Sequence, residues 1–108
     1  MDNKRPILLP KHERVLKQVG EQFKLARLRR KLSMVQVSER ANIAKSTLWR
    51  IEKGDPGVAM GNYYQVLISL SLDKDILQLA KDDILGRKLQ DIELMSKKKA
   101  SKVDKNSK

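Results

Sequence analysis

The segment from Ser33 to Gly54, SMVQVSERANIAKSTLWRIEKG, constrains the fold more than any other part of the chain. It divides near Asn42 into two short stretches, Met34 to Ala41 and Lys45 to Lys53, each with its apolar residues on a single helical face. Val37 and Ala41 lie one turn apart, as do Leu48 and Ile51, and Ile43 falls in the turn between them, where it can plug the angle. Ser33 is a good N-cap, and Gln36 three residues on completes a capping-box pattern. Asn42 stands where the first helix must end; asparagine is among the few non-glycine residues that enter the left-handed region at modest cost.

Two short helices crossing at a steep angle through a tight turn make a helix-turn-helix. In this respect the segment resembles the phage-repressor (Xre/Cro-like) family over about residues 16–80. Small Ser38 and Ala41, the turn at Asn42, and apolar Val37, Ile43, Leu48 and Ile51 fall at that family's spacing. The continuation IEKGDPGV, followed by a Gly-aromatic helix and LSL, is similar to the HipB-type antitoxins that pair with HipA-type kinases, and GRKLQDIEL at 86–94 adds to that likeness. The resemblance implies an all-α, five-helix repressor-like DNA-binding domain that dimerises through its fifth helix and the surroundings. It implies a HipA-like serine/threonine kinase toxin as partner. It also implies a structural ion pair between Arg27 in the first helix and Glu52 in the third.

The charge distribution points to the same segment. Of the formal +11, residues 24–53 carry nine Lys/Arg against two Asp/Glu, whereas residues 54–95 carry four against seven. A polyanion should therefore meet the first region and not the second. Residues 96–108 carry six Lys against one Asp and almost nothing apolar, so they are expected to be disordered, serving solubility or a weak hold on DNA. With no cysteine and the single His12, neither a disulfide framework nor a metal cluster is expected, and no cofactor is implied. No apolar run approaches the ~20 residues of a membrane span. MDNKRPILLP lacks the apolar core of a signal peptide. A cytoplasmic, nucleoid-associated bacterial protein is the expectation.

The remaining chain reads as one small domain, about residues 11–95, between two tails. Residues 1–10 should be an irregular arm, with Pro6 and Pro10 bracketing Ile7-Leu8-Leu9; it either frays or docks on a partner or twin. A long helix is expected from about Lys11 to Lys31, with Val15, Leu16, Val19, Phe23 and Ala26 as its stripe and Leu32 closing it. Gly20 costs that helix ~1 kcal/mol relative to alanine and leaves open a break there. Gly54-Asp55-Pro56-Gly57 is a turn. Another helix follows, from Gly61 or Asn62 to Leu70, with Tyr63, Val66, Leu67 and Leu70 inward. Asp73 or Asp75 should cap a short helix holding Ile76, Leu77, Leu79 and Ala80. Leu85, Leu89 and Ile92 at i, i+4, i+7 leave two alternatives open for 82–95: a sixth helix or, as the HipB-type resemblance implies, a partly strand-like segment shared between subunits.

The second helix of the motif is the one that enters the major groove. Its start and the turns after it select Lys45, Ser46 and Arg50 for base edges, with Thr47 beside them. The resemblance places phosphate contacts near Ser33, Met34, Ala44 and Lys53; Gln36 and the Arg29-Arg30-Lys31 run stand in where Met34 and Ala44 depart from the family's Gln and Ser/Thr. The expected function is a dimeric repressor of a palindromic operator that acts as an antitoxin. The rivals are a stand-alone regulator and a protein-interaction module that has lost specific DNA binding. The sequence offers no nucleophile-base pair or phosphate loop, so no enzyme is expected. Trp49, next to core Leu48 but off the core face, either packs on the following loop or touches a sugar-phosphate backbone or partner.

Overall fold

The computed structural model describes residues 5–106, with side chains described for 5–98. In chain order it contains α1 (Pro10–Arg29), α2 (Met34–Ala41), α3 (Lys45–Glu52), α4 (Met60–Ser69), a 3-10 segment (Asp73–Gln78) and α5 (Ile84–Asn106), with no strand among the described residues. The chain divides after Ile76 into two compact units.

The first unit is built on the helix-turn-helix. Ser33 caps α2 through the reciprocal pair expected of a capping box: Gln36 N–H donates to Ser33 Oγ at 3.1 Å, and Ser33 N–H donates to Gln36 Oε1 at 2.8 Å. Asn42 ends α2 at φ 55, ψ 46, and the chain turns at once into α3. Ala44 occupies the N-cap of α3 and supplies no side-chain hydrogen bond, so the first turn of α3 lacks this support. Val37, Ala41, Leu48 and Ile51 are almost completely buried, joined by Ala26 from α1 and by Val58, Val66 and Leu70. Phe23 and Tyr63 meet edge to face at 5.5 Å and seal one side of this core.

α1 is unbroken at Gly20. A Cβ there would stand 2.5 Å from Gly54 N and 2.7 Å from the Glu52 carbonyl oxygen. Gly54 (φ 72) ends α3, and a Cβ on it would in turn collide with the Leu16 carbonyl on α1. Two glycines thus let the backbone of α1 cross the C-terminal end of α3 in direct contact. Gly20, which costs helix propensity, is required by packing; this close approach fixes how α3 is held.

Several local expectations are corrected. Val15 is exposed and Leu16 and Val19 only half-buried, because α1 contacts the domain mainly through its second half. The short helix after α4 is a 3-10 segment that stops at Gln78; Leu79 lies outside it, and Ala80 takes φ 57, which ends it. Residues 84–95 are helical, with Asp83 Oδ1 accepting from Gly86 N–H at 3.0 Å as the cap, so no strand forms there. α5 extends to Asn106 and so takes in part of the Lys-rich stretch. Lys and Ala are good helix formers and no Pro or Gly interrupts the run; lack of apolar residues denies a segment a core, not a helix. Residues 1–4 of the expected arm and residues 107–108 lie outside the described residues.

Candidate nucleic-acid interface

α3 turns Leu48, Ile51 and Glu52 inward. The residues opposite them on the helix are Ser46, Trp49, Arg50 and Lys53, with Lys45 at the edge of that face. Lys45, Ser46, Trp49 and Lys53 are exposed, whereas Thr47 and Arg50 are half-buried. The structure therefore presents Lys45, Ser46, Arg50 and Lys53 along one helix, with Thr47 drawn toward the core.

Arg50 is held. Its Nε donates to Asp55 Oδ2 at 2.8 Å. Asp55 is buried and also pairs with Arg5, accepts from Gly57 N–H at 2.7 Å through Oδ1, and receives the Tyr63 hydroxyl on its backbone oxygen at 2.7 Å. The hydrogen bond from Arg5, with those from Arg50 and Gly57 added, holds the Asp55 carboxyl well below the usual carboxylate range against the opposing effect of burial. Burial pushes the Tyr63 phenol up. Asp55 occupies the Nε–H of Arg50 and leaves the two terminal nitrogens, the fork that addresses guanine O6 and N7. A pinned guanidinium loses less conformational freedom on binding than a free one. Sequence reasoning took Asp55 as a turn residue and missed this hub; the signal was an Asp five residues after an Arg at a helix end. Arg5 gives the irregular stretch before α1 a fixed contact on its own domain.

Asp55 contributes stability that is present above the ordinary carboxylate pKa of 3.8 and is lost as pH falls toward its depressed folded value. Thermal melts from neutral pH down to about pH 3 should therefore show a stability loss that is reduced in Asp55→Asn. At neutral pH Asp55→Asn should itself cost about 1–2 kcal/mol, because its arginine partners can return to water. An unchanged acid profile would show that the hub does not act as described.

The other candidate residues lie around the helix ends. Ser33 and Gln36 form the exposed cap of α2; the cap engages the Gln36 oxygen and leaves its amide nitrogen as a donor. Arg30 donates from NH1 to the Ala26 carbonyl at 2.9 Å and so closes the C-terminus of α1. Arg27 and Glu52 form a buried bidentate pair, with Nε to Oε2 at 2.7 Å and NH2 to Oε1 at 3.0 Å, and Arg27 NH1 reaches the Leu32 carbonyl at 3.0 Å. The pair ties α1, α3 and the strand-like entrance to α2 into one frame. Met34 is half-buried against the core and cannot donate to a phosphate.

Two short helices locked at a turn, with the second presenting a polar and basic outer face, define a helix-turn-helix domain. A family model described as a helix-turn-helix domain matches residues 18–67, from the middle of α1 into α4. That match supports the Xre-like type. Curated proteins yield no match to the chain. No described helix is long and apolar enough to cross a membrane.

Proposed function

We propose that this chain is a sequence-specific transcriptional repressor that binds duplex DNA as a homodimer, one α3 per half-site of a palindromic operator about one helical turn apart. The observation that carries this reading is the outer face of α3: Lys45, Ser46 and a pinned Arg50 on a helix fixed by two backbone-contact glycines and a buried ion pair. Lys45, Ser46 and Arg50 read base edges; Lys53, Ser33, Gln36 and Arg30 serve the backbone, and Thr47 acts from the edge. Removing the Lys45 charge together with the Ser46 hydroxyl (Lys45→Ala, Ser46→Ala) should weaken binding to the selected duplex by ~1–3 kcal/mol and relax base preference. A double variant that binds with full affinity and preference would remove these residues from the reading.

The second unit supports dimerisation. Leu85, Leu89, Ile92 and Met95 fall on one side of α5 and are each more than half exposed. A stripe of this kind fits a second copy of the helix. Leu89→Lys should shift the protein from dimer to monomer in light scattering; a variant that remains dimeric would move the contact elsewhere.

The narrower proposal is that the repressor is an antitoxin that binds a HipA-like serine/threonine kinase and represses their shared operon. Its support is the similarity of residues 51–72 to HipB-type proteins. Affinity purification from native cells should return such a kinase in stoichiometric amount. Recovery of the dimer alone would favour a stand-alone regulator.

A further inference from the structure

A groove of about 450 Å³ lies between α1 and α3, beside the exposed face of the recognition helix. Lys17, Glu21 and Lys24 line its α1 wall at helical spacing, and Trp49 and Lys53 line its α3 wall. Arg27 and Glu52 also line it, but they neutralise each other. Three lysines against one glutamate leave the groove cationic.

Trp49 is the only tryptophan of the chain, and its side chain is 55% exposed on a helix that buries its neighbours Leu48 and Ile51 completely. Lys53 Nζ lies 5.4 Å from the ring centroid and holds the indole at the rim of the groove. Leaving a large indole half in water forgoes burial free energy, and its place one turn from both Lys45 and Lys53 puts it in a row of cations.

We propose that this groove is a DNA-backbone cradle in which Trp49 packs against the deoxyribose of one strand while Lys17, Lys24 and Lys53 neutralise the flanking phosphates. The inference rests on the DNA-binding reading above and extends the interface from α3 onto α1. The alternation of cation and flat apolar ring suits a sugar-phosphate chain, which alternates charge with an apolar-faced ring. It also supplies backbone contacts in a domain where Met34 and Ala44 supply none from their side chains.

The experiment uses the full chain and a duplex that the wild-type protein selects from a random-sequence pool. Wild-type binding is measured first; failure to bind any duplex would overturn the DNA-binding reading itself. Given binding, Trp49 emission should change in proportion to saturation, and Trp49→Ala should bind about tenfold more weakly. Lys17→Ala with Lys24→Ala should lower the slope of log affinity against log salt by about 2, whereas Lys74→Ala, an exposed lysine outside the groove, should leave it near the wild-type value. Circular dichroism checks that each variant is folded. Wild-type affinity in Trp49→Ala, or the full salt slope in the α1 double variant, would overturn the cradle while leaving α3 recognition intact.

Discussion

Gly20→Ala is expected to destabilise this protein by about 2–3 kcal/mol, the upper end of the cost of overpacking. That corresponds to a fall in melting temperature of order 10–20 °C for a domain of this size. The sign is the informative part. In an open helix, alanine would stabilise relative to glycine by ~1 kcal/mol. Here the added methyl has no room: Gly54 N, the Glu52 carbonyl oxygen and the Ile51 carbonyl oxygen all lie within 2.8 Å of its position. All three are backbone atoms, so no side chain can swing aside. Either α1 lifts or the end of α3 shifts, and because α3 carries the proposed base contacts, DNA affinity should fall with stability. Urea titration of wild type and variant measures the first, and a binding titration the second. A neutral or stabilising Gly20→Ala would mean that the two helices do not cross in backbone contact.

Glu52→Ala should cost ~3–5 kcal/mol, the second large effect. Arg27 is buried, and its guanidinium spends two of its hydrogen bonds on Glu52. Removing the carboxylate leaves the buried Arg27 charge without its partner. Arg27→Met strands the opposite charge and also leaves the Leu32 carbonyl without its donor. The double variant Arg27→Met, Glu52→Leu should therefore be much more stable than the two single losses added together, since no lone charge is left buried. A double-mutant cycle with simple additivity would contradict the pair.

These two sites show what the sequence made legible. The helix-turn-helix was readable because its signals are local: a capping box at Ser33 and Gln36, a left-handed Asn42, and apolar residues one turn apart. Arg27 and Glu52 are twenty-five residues apart, and only the likeness to phage repressors joined them. Gly20 was visible as an anomaly, but its reason lies in a contact with Gly54, which no periodicity encodes. Asp55 was read only as a turn residue: turn chemistry explained it fully, and although Arg50 is five residues away, Arg5 reaches it from fifty residues earlier.

At the candidate interface, Lys45, Ser46 and Lys53 are exposed along α3, where helical spacing put them. Arg50 and Thr47 lie on the same helix and are half-buried, Arg50 through its bond to Asp55 in the turn after α3. Trp49 could be flagged as unusual from sequence; its environment required α1, which supplies the lysines beside it.

The most direct test of the central claim is selection of duplexes by the purified wild-type protein from a random-sequence pool at near-physiological salt. The account predicts enrichment of one palindromic sequence, with half-sites about one helical turn apart. Recovery of a pool without sequence preference, bound weakly and released by modest salt, would contradict it and leave α3 as a basic surface that does not read bases.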